Sequence, residues 1–293
     1  MPRGKTKEHP CSIAIKKTLA YRAIFKYPLS FHQLSTFLIA NCHYDRKTIQ
    51  KEVGKLIRKG FIKKKNGRYM LSTTLKPIDW SFRFKHSRRL IKRNKRVFDT
   101  LKTIPWIRFI GVTGSAAACN AEKDTDVDIF IITQRRRLWL TRFFLFIFLK
   151  LLKKYPSQKS DRGKICPNIL IDEEALTWPK EKQNVYIAHE IALMQPIFDR
   201  GNTYFKFLRA NNWISDYLYN FKLDEIYLPP APHGVGQSRF VDLLEKIFMF
   251  GQQMYMKKRR TTEIITKNFV HFNKNDSTQR ILNSYFERTS DIK

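Results

Sequence analysis

Two carboxylates, Asp126 and Asp128, stand two residues apart in the apolar run DVDIFII. Strands are depleted in Asp, and this chain carries only 25 Asp and Glu against 56 Lys and Arg. Side chains alternate along a strand, so both carboxylates emerge on one face and Val127 on the other. Two like charges so close call for a cation between them. A hard divalent ion that prefers oxygen, Mg²⁺ above all, suits the pair. Alone, Asp-x-Asp fits a harmless exposed edge equally well, so the residues upstream decide.

Twelve residues before Asp126 the chain reads Gly114-Ser115, where the strand pattern WIRFIGV gives way to the small, helix-compatible AAACNA. Glycine allows a tight turn and close approach of a ligand to the backbone. The N–H groups freed at the start of a helix bind phosphate oxygens, and a serine hydroxyl adds a donor. A phosphate cradle beside a Mg²⁺ platform is the pair of features that a nucleoside triphosphate site needs. The stretch FIGVTGS, ten residues, then DVDIFII resembles the nucleotidyltransferase superfamily of DNA polymerase beta-like enzymes. Its pattern is a hydrophobic strand, Gly-Ser, and Asp-x-Asp in a following apolar strand. The resemblance covers about residues 80–220.

The resemblance implies an α/β (α+β) fold, a small mixed sheet flanked by helices. It also implies Mg²⁺-dependent transfer of a nucleoside monophosphate from a nucleoside triphosphate to an acceptor hydroxyl, RNA being one candidate. Asp126 and Asp128 would be the metal ligands and catalytic carboxylates, and Gly114 and Ser115 would hold the triphosphate. A third carboxylate belongs on a later strand. In CPNILIDEE, alternation sets Asn168, Leu170 and Asp172 on one face. Asp172 is the expected third catalytic residue. Should Asn168 hold the position instead, catalysis is slowed or lost. His189 and Glu190 sit side by side in AHEIALMQP, but neighbours on a helix point apart and Leu193 breaks the HExxH metal pattern. The helix that carries them is expected to be structural or to lie on the substrate side, not to hold a second metal.

The elements around this motif divide the chain into 1–78, 79–178 and 179–293. In the first part, apolar residues from Ile13 to Phe25 have loose helical spacing. LSFHQLSTFLIA reads as a second helix with Ser30 as N-cap and Gln33 three residues on. A third helix, capped by Asp45, carries Ile49, Val53, Leu56 and Ile57 on one side. Asn66-Gly67 then marks a hairpin turn. Three helices and a hairpin resemble a winged helix-turn-helix domain. That likeness implies a nucleic-acid surface of Arg46, Lys47, Gln50 and Lys51 on the third helix and Lys63, Lys64, Lys65 and Arg68 on the wing. Residues 79–103 read as one very basic helix, whose Arg88, Arg89 and Lys92 could add phosphate contacts. LPPAPHGVG reads as a linker, and the region 179–293 as helical.

A formal net charge of +31 points to a polyanionic partner, nucleic acid before an anionic membrane surface. Hydrophobic content of 43% excludes a disordered chain. Cys11, Cys42, Cys119 and Cys166 are too scattered for a zinc motif or a disulfide scaffold, which suits reduced thiols in a cytoplasm. The apolar run Leu138–Leu152 is shorter than the roughly 20 residues of a spanning helix, so a buried helix is expected, with surface docking on a membrane the alternative. Two functions remain open. One is a nucleotidyltransferase. The other is a nucleic-acid-binding regulator whose transferase-like domain senses nucleotide or serves as a scaffold.

Overall fold

Asn66 and Gly67 both adopt positive φ, 49° and 72°, the conformation of a two-residue hairpin turn whose twist matches its strands. They join β1 (Ile62–Lys65) to β2 (Arg68–Leu71). Three helices precede the hairpin: α1 (Pro10–Ile24), α2 (Phe31–Thr36) and α3 (Arg46–Arg58). Ser30 and Gln33 form a reciprocal capping box at α2, and the Asp45 side chain accepts from Thr48 N–H at α3. Ile15, Leu19, Leu34, Leu38, Ile49, Val53 and Leu56 close a common core over Ile62. The computed structural model describes residues 8–74, 78–156, 163–222, 238–257, 264–271 and 277–292. The expected linker LPPAPHGVG lies outside them.

The basic stretch expected as one helix is two, α4 (Trp80–Arg93) and α5 (Lys95–Leu101). Asn94 breaks it: its side-chain amide donates to Leu90 O at 2.9 Å, competing with the helical backbone. On α4 the buried residues are Ser87 and Leu90, and Phe84 is exposed.

Six strands form one mixed sheet. They are β3 (Ile107–Val112), β4 (Val127–Thr133), β5 (Ile165–Asp172), β6 (Gln195–Asp199), β7 (Ile264–Ile265) and β8 (Phe269–His271), in the order β6-β3-β4-β5-β8-β7. Every pairing is antiparallel except β4 with β5. A parallel pair needs a crossover, which α7 (Leu138–Leu151) supplies. Alternation divides the strands between two cores. Ile110, Val112, Val127, Ile129, Ile131 and Leu170 pack with residues of α4, α5, α7 and α10 (Arg239–Lys257). Phe109, Phe130, Ile132 and Ile171 pack on the opposite face with α8 (Val185–Ala192) and α9 (Thr203–Ala210).

The region expected to be helical supplies β6, β7 and β8. QPIFD follows α8 too closely to be a helix of its own, and Pro196 is tolerated because β6 is an edge strand. α7 buries Leu138, Trp139, Leu140, Leu145 and Leu149. Its first turn is capped from α10, where Glu245 accepts from Trp139 N–H and Leu140 N–H at 2.8 and 2.9 Å. Among the described residues no helix is long and apolar enough to cross a membrane. The N-terminal unit docks through Tyr21 of α1, which shares a small core with Val185 of α8 and with Ile281 and Tyr285 of α11 (Ser277–Thr289).

Candidate functional site

The β3–β4 ladder ends where the chemistry begins. Thr113 N–H donates to Asp128 O at 2.9 Å, which holds the turn after β3 against the first residues of β4. Gly114 then takes φ +63°, and a Cβ there would stand 2.7 Å from Asp128 Oδ2. Only glycine meets both conditions without strain. Ser115 follows in the single-turn helix α6 (Gly114–Ala117).

Asp128 shares the face of Phe130 and Ile132, the face covered by α8. Across the parallel pairing its partner is Cys166. Candidate ligand atoms of Asp126, Asp128 and Cys166 all lie within 4.8 Å of one another, an arrangement able to hold a metal ion. The Cys166 thiol hydrogen-bonds the Asp128 carboxylate, which lowers its pKa. Burial first, then the charges of Asp126 and Glu190, outweigh that bond and push Asp128 up to about 7. A cation here would relieve both the burial and the repulsion.

Asp172, expected as the third member, does not join the pair. Between Ile129 and Phe130 the register with β5 slips from Pro167 to Ile169, leaving Asn168 in the irregularity. Beyond the slip the parity of β5 is reversed, so Leu170 packs in one core and Ile171 in the other. Asp172 pairs with Thr133 at the far end of β4, on the side of Leu170 and about 20 Å along the strand from Cys166. Its carboxylate accepts from Arg136 N–H at 3.1 Å and Glu174 N–H at 2.8 Å. It ties a turn, and burial raises it to about 6. The bulge, which strict alternation cannot reveal, is the physical reason for the miss.

The acid that does reach the site is Glu190. The α8 helix lies on the face of Asp128. Burial raises Glu190 to about 7, against the lowering influence of the Gly114 backbone N–H and of Arg22. His189, its neighbour, turns the other way. It stacks on Tyr21 with ring centroids 4.1 Å apart, its Nδ1 is 2.8 Å from Val185 O, and burial depresses it to about 3. The rule that adjacent helix residues diverge therefore holds, but it sends one of the two into the site.

Arg46, Lys47, Gln50 and Lys51 are exposed along α3, as are Lys63, Lys64 and Lys65 on β1. Lys63 Nζ also bonds Ser72 O and Thr74 O at 3.1 and 2.9 Å. Arg68 does not project as a wing residue. Its guanidinium lies over Trp80 at 3.8 Å and donates to Gln33 Oε1 at 2.8 Å. Arg88, Arg89 and Lys92 are exposed on α4. None of the four cysteines forms a disulfide. A scan against protein-family models and a search of curated proteins both return no match.

Proposed function

We propose that the protein is a metal-dependent nucleotidyltransferase, with its nucleotide between Asp126, Asp128 and the turn at Gly114. The observation that carries this is the convergence of Asp126 and Asp128 with Gly114, whose absent side chain admits Asp128 Oδ2. Mg²⁺ is held by one or two carboxylates together with substrate phosphates, not by a full protein cage. The two aspartates fit that requirement, while the Cys166 thiol is not a magnesium donor. A bound Mg²⁺ would neutralise charge on the entering and leaving oxygens.

The chain's own residues set the geometry. Asp126 and Asp128 fix where the charged end of the nucleotide sits, and Gly114 keeps the backbone close to it. Ser115 Oγ, which makes no hydrogen bond to a described residue, is available as a phosphate donor. In the transfer the acceptor oxygen bonds to the α-phosphorus, the α–β bridging P–O bond breaks, and pyrophosphate carries away the electron pair. The acceptor proton must pass to a base. Glu190 is the further acid within electrostatic reach of Asp128, on the same side of the sheet.

A second reading, a nucleotide-sensing regulator without turnover, is favoured by one specific observation. Cys166 stands across from Asp128 where the resemblance asks for a carboxylate. The three-helix-and-hairpin unit, with its exposed basic α3, supports nucleic acid as partner in either case. Incubation with each labelled nucleoside triphosphate, Mg²⁺ and total RNA separates the two. Label transferred by the wild type and abolished by Asp126→Asn with Asp128→Asn supports the transferase. Saturable, Mg²⁺-dependent nucleotide binding with no transfer to any macromolecule supports the sensor.

A further inference from the structure

The α10 helix is apolar on two sides. Its inner side is fastened to the start of α7. Glu245 accepts from Trp139 N–H and Leu140 N–H, and Asp242 pairs at 2.6 Å with Arg137, the residue just before α7. The side-chain amide of Gln252 donates to Trp139 O at 2.9 Å, and Phe248 packs on Phe143 with ring centroids 4.4 Å apart. The outer side carries Phe240, Leu243, Ile247, Phe250 and Met254, each between 56% and 68% exposed. Steps of three, four, three and four set these five in one stripe along the helix. Scattered exposed apolar residues need no explanation, but a continuous stripe on a helix held firmly from behind marks a docking surface.

The charges beside the stripe say what docks there. At about 3.6 residues per turn, Arg239, Lys246 and Lys257 fall along one margin of it, and all three are exposed. The helix has two acids, Asp242 and Glu245, and both are engaged with α7 and Arg137. A helix paired along such a seam presents opposite charges at the margins. A second copy of α10 has none to present, only the same cations. An anionic lipid surface meets both features at once: the acyl boundary takes the apolar stripe and the headgroups take the cations. Tyr255, exposed at the other margin, has the amphipathic ring suited to that boundary. The net charge of +31 draws the whole chain toward such a surface.

We propose that the protein docks on anionic membrane surfaces through the outer face of α10. Phe240, Leu243, Ile247, Phe250 and Met254 enter the lipid, while Arg239, Lys246 and Lys257 sit among the headgroups. The helix lies in the plane of the interface and does not cross it. Surface docking was the alternative for the run Leu138–Leu152. It falls to α10 instead, because α7 turns Leu138, Trp139, Leu140, Leu145 and Leu149 inward. The inference stands apart from the nucleotide-binding reading and survives its failure.

Cosedimentation of the full chain with vesicles of phosphatidylcholine alone, and of phosphatidylcholine with phosphatidylserine, tests this. Sedimentation velocity without lipid is run in parallel. The wild type is expected to partition onto the phosphatidylserine vesicles. Ile247→Gln with Phe250→Gln is expected to weaken that partitioning about tenfold or more. Arg239→Gln with Lys246→Gln and Lys257→Gln is expected to weaken it about threefold or more. Circular dichroism checks the fold of each variant. If the apolar variant does not fold, the cation variant decides alone, and unchanged partitioning overturns the proposal. Wild type that stays in the supernatant overturns it. So does partitioning that the apolar variant retains, which would be adsorption by general charge. A dimer that the apolar variant abolishes, with no vesicle binding, assigns the stripe to a second copy and also overturns it.

Discussion

At the scale of single residues, the site turns on which atom stands across β5 from Asp128. A thiol is there, Cys166, paired in register with Asp128. It lies two positions before Asn168, and it is the only side chain besides the two aspartates in the metal-binding group found among the described residues. A thiol is a weaker partner than a carboxylate for a hard cation. Replacing it by Cys166→Asp supplies the missing acid, so transfer rate and Mg²⁺ affinity are both expected to rise, the rate by tenfold or more. Steady-state transfer assays across a Mg²⁺ series check this. A variant that folds but loses activity would show that the thiol itself has a positive role. Gly114, Ser115, Asp126 and Asp128 were legible because their spacing is short and lies within one strand–turn–strand unit. Cys166 was not legible, because which residue of β5 stands beside Asp128 is set by the register of the parallel pair, which no local spacing reveals.

At the scale of elements, what sequence pattern encodes locally is what it revealed. The capping box at Ser30 and Gln33, the Asp45 cap and the Asn66-Gly67 turn are interactions among residues within three positions of each other. The break at Asn94 and the strand β6 depend on tertiary context. Asn94 is buried at 1% exposure, and β6 exists because the edge of β3 offers a ladder. Docking of α1 on α8 through Tyr21 and His189 is of that second kind and has a pH signature. His189 falls from about 6.5 in an unfolded chain to about 3 in the fold, because burial disfavours its cation. A depressed folded value means this contribution is full above about 6.5 and is lost progressively as pH falls toward 3. His189→Phe keeps a ring on Tyr21 and removes the buried Nε2 that has no partner. The variant is expected to lose less stability than wild type between pH 6.5 and 4, measured by denaturant unfolding at each pH. Parallel stability curves for the two proteins would contradict the assignment.

At the scale of the whole molecule, a charge of +31 is unevenly used. Some cations are structural: Arg68 is stacked on Trp80, and Arg137, 1% exposed, reaches Asp242 at 2.6 Å. The row on α3 is exposed to solvent, with Arg46 also lying over the Phe31 ring at 5.4 Å. Combined Arg46→Gln, Lys47→Gln and Lys51→Gln is therefore expected to weaken duplex binding and to reduce the log–log salt slope by about 3. Filter binding over a salt series reads that slope, and an unchanged slope would exclude α3 as the contact surface. The N-terminal unit also packs on the rest of the chain, through the stack of Tyr21 in α1 on His189 in α8. All of this depends on Asp126 and Asp128 sharing a metal beside Gly114. The most direct measurement is a crystal structure of the protein soaked with Mn²⁺ and a non-hydrolysable nucleoside triphosphate, with anomalous scattering used to locate the ion. A peak bridging both carboxylates, with the triphosphate against the Gly114 turn, is the expected result. A nucleotide bound elsewhere, or manganese absent from the two aspartates, would contradict the account.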